Sequence, residues 1–174
     1  MTTPVVITFI GRDRPGLVNA ISEKVAAFDG TWLESRLARL AGEFAGILLI
    51  SVPEPNIAGL TGALRDLEAT GLRIAVERSS GSQTPPSLKT VKLALVGNER
   101  PGIVRDVTQA LTRLGVNIEE FSSSIEGAPF TGAEMFRASA QLRVPDDLAS
   151  DDLRKTLERL AGEIMVDLTV TGAS

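Results

Sequence analysis

The chain has 174 residues, of which 43% are hydrophobic and 23% charged, with a net charge of −4. That is an ordinary globular composition, with room for one domain or two small ones. There is no cysteine and no histidine, which excludes disulfides, thiol nucleophiles, Ser-His catalysis and imidazole metal ligands.

Charges are mixed throughout: residues 1–88 hold 8 basic and 9 acidic groups, and residues 89–174 hold 10 and 13. No basic face or tail offers itself to nucleic acid or to an acidic membrane. The N-terminal MTTPVVITFIGRD lacks the basic region and long apolar run of a signal peptide, and no apolar stretch approaches the ~20 residues that span a bilayer. A cytoplasmic protein is expected.

Val5, Ile7 and Phe9 alternate as in a strand with one buried face. The loop GRDRPGLV (11–18) follows. Pro15 is expected at the first helical position, where its missing N–H costs nothing, and Gly16 next to it admits a close approach of backbone or ligand. Leu17, Val18, Ile21, Val25 and Phe28 then mark one face of a helix. In TWLESRLARL (31–40), Leu33, Leu37 and Leu40 share a helical face, yet comparison with its counterpart below makes the segment a strand. FAGILLISV (44–52) is a further strand, Leu60, Leu64 and Leu67 a second helix, and LRIAVE (72–77) a last strand.

Residues 79–89 are small and polar with paired prolines, the composition of a linker. They separate a first domain (1–78) from a second (90–174). The second repeats the first. GNERPGIV (97–104) lies eighty-six positions after GRDRPGLV. Val91, Leu93 and Leu95 repeat the first strand; Ile103, Val104, Val107, Leu111 and Leu114 repeat the first helix. The partner of TWLESRLARL is NIEEFSSSIE (117–126), whose three consecutive serines make a poor helix. MFRASAQLRV (135–144) is the third strand, and GAPFTG (127–132) supplies a longer hairpin loop before it. Leu153, Leu157 and Leu160 form the second helix, with Asp151 or Asp152 at its N-terminus, and IMVDLTV (164–170) is the last strand. Each copy reads strand, helix, strand, strand, helix, strand. That is the ferredoxin-like βαββαβ unit of the α+β class, with both helices on one sheet face.

The repeated loop invites a ligand. N–H groups in the first turn of a helix are unpaired within it, and the dipole favours an anion such as a carboxylate. Asp13 and Glu99 are odd beside an anion but suit a ligand that also carries an ammonium group. Arg14 and Arg100 are expected to pair with those acids or to face solvent. A bare strand–helix turn accounts for the same residues without a ligand.

The motif [DE]RPG[LI]V between a strand and a helix, inside βαββαβ, resembles the ACT domain. GRDRPGLV together with LESRLARLAGEFAGILLISVP resembles the glycine cleavage system transcriptional repressor family, over about residues 4–172. The resemblance implies two ACT units paired side by side into an eight-stranded sheet. It implies an amino-acid ligand between the loop of one unit and the start of the second strand of the other, where an Asn often holds it. On this pattern one site comprises Arg12, Asp13, Arg14, Pro15, Gly16 and Leu17 with Asn117 and Ile118. A second comprises Asn98, Glu99, Arg100, Pro101, Gly102 and Ile103 with Thr31 and Trp32. Thr31 departs from the Asn pattern. An Asn amide both donates and accepts, as the two ends of a zwitterion require.

The resemblance further implies a non-catalytic regulator without metal or cofactor. Such a protein senses a small amino acid, glycine first, and acts on a protein partner, a DNA-binding activator of glycine cleavage genes, not on DNA itself. It also allows a homo-oligomer. Trp32, Phe121 and Phe130 are expected to pack at the sheet or between units. Two alternatives compete: a ligand-free interaction scaffold, and a phosphate-ester or acyl-phosphate hydrolase clamping its substrate with Arg14 or Arg100. The second lacks a visible nucleophile–base pair.

Overall fold

The computed structural model describes residues 1–81, 88–160 and 165–171. The chain divides into two compact units, Met1–Gln83 and Thr84–Ser174.

In the first unit the elements are β1 (Thr2–Arg12), α1 (Leu17–Ala27), β2 (Thr31–Leu40), β3 (Glu43–Pro53), α2 (Ile57–Asp66) and β4 (Arg73–Arg78). The second contains β5 (Leu88–Asn98), α3 (Ile103–Arg113), β6 (Asn117–Gly127), β7 (Glu134–Pro145), α4 (Ser150–Arg159) and β8 (Met165–Thr171). Strand β5 starts two residues inside the segment expected as linker. The sheets are antiparallel and four-stranded, in the orders β2-β3-β1-β4 and β6-β7-β5-β8. Both are the ferredoxin-like arrangement expected from the element order.

Alternation in the strands builds each core. Val5, Ile7 and Phe9 of β1 meet Leu48 and Ile50 of β3, and the helices cover them with Ile21, Val25, Leu60 and Leu64. In the second unit Val91, Leu93 and Leu95 meet Leu142 and Val144 beneath Val107, Leu111, Leu153 and Leu157. Each such side chain removed from water contributes about 1.5–3 kcal/mol. Two helices on one sheet face leave the other face without helices.

The helix-like spacing in β2 does not describe its packing: Leu33 and Leu40 are exposed, and of the three leucines only Leu37 packs on the core. A β-bulge separates Trp32 from Glu34, and a matching bulge separates Ile118 from Glu120. The extra residue turns the alternation over. Trp32 and Leu37 therefore both reach the first core, and Ile118 and Phe121, three apart, both reach the second.

The β2–β3 hairpin turns through Ala41 and Gly42, at φ 51 and 86, the two left-handed residues of a type I′ turn. The β6–β7 connection is longer, and Ala128 N–H donates to Ala133 C=O at 2.8 Å across it. Phe130, expected to pack, stands fully exposed at 100% on this loop. The added residues carry it beyond reach of the sheet. Among the described residues no helix is long and apolar enough to cross a membrane.

Candidate ligand-binding site

Both RPG loops fold the same way, and not as the proline rule for helix starts suggests. Gly16 and Gly102 are the helix N-caps, at φ 83, ψ 2 and φ 84, ψ 7. Those angles belong to the third residue of a type II turn, and Pro15 and Pro101 take the second position, where proline presets φ. The prolines thus lie two residues before the helices, outside the expected first helical position. Ile103 N–H closes the second turn on Arg100 C=O at 3.3 Å. The glycines serve φ more than close approach: a Cβ on Gly16 would meet nothing within 4 Å, and one on Gly102 only the flexible Arg105 side chain.

Helical bonding begins with Ala20 N–H to Gly16 C=O at 2.9 Å and Asp106 N–H to Gly102 C=O at 3.0 Å. Among the described residues no side chain caps either helix. Each loop is also tied to its hairpin, Asp13 N–H donating to Gly42 C=O (2.9 Å) and Glu99 N–H to Glu134 C=O (3.0 Å).

The charges around the two loops differ. In the first unit Asp13 pairs with Arg39 of β2 at 2.8 Å, and not with Arg14, which makes no ion pair among the described residues. In the second unit Arg100 does not pair with its neighbour Glu99 either. Its guanidinium reaches Asp106 Oδ2 at 2.7 Å and Leu160 C=O at 3.2 Å, stapling the loop to α3 and to the end of α4. Asp106 has no counterpart in the first unit, where Ala20 stands at the equivalent place. Glu99 keeps an Oε2 that is buried and has no hydrogen-bond partner among the described residues. One unit therefore ties its acid and leaves its arginine loose, and the other does the reverse.

Hydrogen bonds from Arg100, then Arg105, hold the Asp106 carboxyl below its ordinary range. A lowered folded-state value means that these bonds stabilise fully above the unfolded carboxylate value, and the contribution drains as pH falls through the depressed one. Asp106→Asn is expected to flatten the acid limb of the stability curve. Denaturant unfolding between neutral and acid pH checks it; parallel curves for the two proteins would refute the pairing.

Glu99, Arg100, Gly102, Ile103 and Val104 line one side of an open groove of about 440 Å³, and Ser123, Ser124 and Ile125 of β6 line the other, with Phe136 below. The volume falls within the range of small-ligand sites. The serines were read from the sequence only as evidence against a helix. The counterparts of Ser123, Ser124 and Ile125 in the first unit are Leu37, Ala38 and Arg39, of which Leu37 packs on the core and Arg39 pairs with Asp13. The groove offers small hydroxyls, an uncapped helix start and the side chain of Glu99. A carboxylate can lie at the helix start, and an ammonium against Glu99. Among the described residues no group of three or more Asp or Glu is gathered as a metal ion would require.

The other expected site residues are placed as follows within their own units. Arg12 and Asn98 end their strands, exposed, opposite Glu43 and Met135. Leu17, like Ile103, is buried at 3%, and Trp32 and Ile118 spend their side chains on the cores. Asn117 pairs with Arg143, which is level with Thr90 at the start of β5. Eight residues separate that level from Asn98, roughly 27 Å along a strand. Thr31, opposite Ser51 and so level with Pro4, stands as far from Arg12. Within its own unit, each of these strand starts lies at the opposite end of the sheet from the RPG loop.

The ACT domain model matches residues 3–77. The glycine cleavage system transcriptional repressor of Escherichia coli K12 is 26% identical over 167 residues, covering 91% of this chain and 84% of that protein. Phosphoserine phosphatase SerB2 of Mycobacterium tuberculosis is 30% identical over 174 residues, 95% of this chain but only 40% of the enzyme. A crystal structure of an unknown protein from Galdieria sulphuraria superposes with a TM-score of 0.88 at 29% identity, covering 99% of this chain and 100% of that one. Residues of the first unit thus match the ACT domain, and the chain's likeness to the glycine cleavage system transcriptional repressor extends over both units.

Proposed function

We propose that this protein is a non-catalytic regulator that binds a small amino acid in the groove of its second unit. Through that binding it modulates a protein partner, a DNA-binding transcriptional activator of glycine cleavage genes. The observation that carries the ligand is Glu99: its side chain lines the same groove as an uncapped helix start, and its Oε2 is buried without a partner among the described residues. A lone buried acceptor costs free energy, and an ammonium group relieves that cost. Glycine is the first ligand to test, because the similar repressor is named for glycine cleavage. The acidic balance of the chain agrees with a protein partner over DNA. Regulation would work by linkage, the ligand favouring one arrangement of the protein and so changing its affinity for the partner.

Titration calorimetry with glycine, alanine and serine tests the ligand. Saturable binding is expected for at least one free amino acid and for none of the N-acetylated forms, which lack the ammonium. At a hundred times its Kd the ligand should stabilise the protein by about 2.7 kcal/mol. If no common amino acid binds, the sensing role is refuted and an interaction scaffold remains.

A further inference from the structure

The two units share a fold but differ on the sheet face that carries no helices. In the first unit Val6, Ile10, Ile47, Leu49 and Leu40 stand on that face, at register positions opposite in sense to the core residues. Ile10, Ile47 and Leu40 are 46%, 49% and 81% exposed. At the matching positions of the second unit stand Lys92, Val96, Ser139, Gln141 and Glu126. The second unit shows how this face is written for water, with polar residues at four of the five positions, all but Val96. The apolar face of the first unit is therefore not a demand of the fold. A contiguous patch of this kind marks a contact surface.

The charges beside the patch say what covers it. Arg73 and Glu77 on the edge strand β4 share this face, level with Ile10 and Val6. Neither forms an ion pair among the described residues. Midway between them lies Ala75, level with Thr8 and Ile47. A two-fold axis running across the strands at that level would bring Arg73 of one copy over Glu77 of the other, and the reverse. An isologous contact repeats each pair twice in this way. Arg36, also near the axis, already has Glu34 as counter-ion at 2.9 Å. Four strands and eight residues of β1 span roughly 500 Å² per copy, the low end for specific association.

We propose that the helix-free face of the first sheet pairs with the same face of a second copy of this chain, Arg73 of each opposing Glu77 of the other. The pairing is reversible and independent of the ligand groove. Sedimentation velocity on the full chain from about 1 to 100 μM tests it. The wild type is expected to pass from monomer to dimer in that range. Arg73→Glu should raise the midpoint at least about tenfold, and Arg73→Glu/Glu77→Arg should bring it back to within about threefold. Ile47→Ser/Leu49→Gln, which carries the residues of the second unit, should abolish the dimer with the circular dichroism unchanged. A wild type that stays monomeric overturns the proposal. So does a charge swap as weak as Arg73→Glu alone, or a dimer that survives Ile47→Ser/Leu49→Gln.

Discussion

Glu99→Gln is expected to stabilise the unliganded protein and to weaken amino-acid binding by about ten- to a hundredfold. The two effects share one cause. Oε2 of Glu99 is buried without a partner in the free protein, and an ionised group in that position costs more than a neutral amide of the same shape. With ligand bound, the cost becomes a gain. A hydrogen bond to a charged group contributes about 1.5–3 kcal/mol, which sets the expected loss of affinity. Opposite signs on stability and affinity mark a residue held in strain for a ligand. Thermal unfolding without ligand and calorimetry with it measure both. A Glu99→Gln protein that binds as tightly as the wild type would remove the ammonium contact from the groove.

Gly102→Val is expected to destabilise the protein by about 1–3 kcal/mol and to abolish binding. Its φ of 84 lies where a β-branched residue is strained. The penalty is conformational, because the added Cβ would meet only the mobile end of Arg105, at 3.0 Å. Relief of the strain would rotate the turn and re-aim the first N–H groups of α3. Gly16→Val supplies the comparison. Its φ of 83 carries the same penalty, but it belongs to the other unit and does not line the groove of Gly102 and Ser123. The two variants should lose similar stability, and only Gly102→Val should lose the ligand. Equal loss of binding in both would mean that the groove of the second unit is not the seat.

Much of the site's framework was legible from residue order. The duplicated RPG loops, the strands before them and the helices after them follow from alternation and from three-four spacing, which are local properties of the chain. The turn itself was misread at one point. Proline at a helix start and proline at the second position of a type II turn use the same residue and the same φ. Only the left-handed glycine after it separates the two. The bulges in β2 and β6 left a trace, the i, i+3 spacing of Ile118 and Phe121, but that trace imitates a helix.

The partners of the loop charges were not legible. Asp13 and Arg39 are far apart in sequence, as are Arg100 and Leu160. Neighbouring opposite charges such as Glu99 and Arg100 suggested a pair that the backbone does not make, because successive residues of an extended segment point to opposite sides.

Taken alone, the amino-acid order determined that this protein is two copies of one βαββαβ unit, each with an RPG turn before its first helix, since periodicity and repetition need no third dimension. Tertiary structure decided how the two copies differ around their loops. Folding brings Ser123 and Ser124 across from an unpartnered Glu99 in one unit, and Arg39 onto Asp13 in the other. Those contacts join residues distant along the chain, and their chemistry depends on what each side chain finds once the strands are laid side by side.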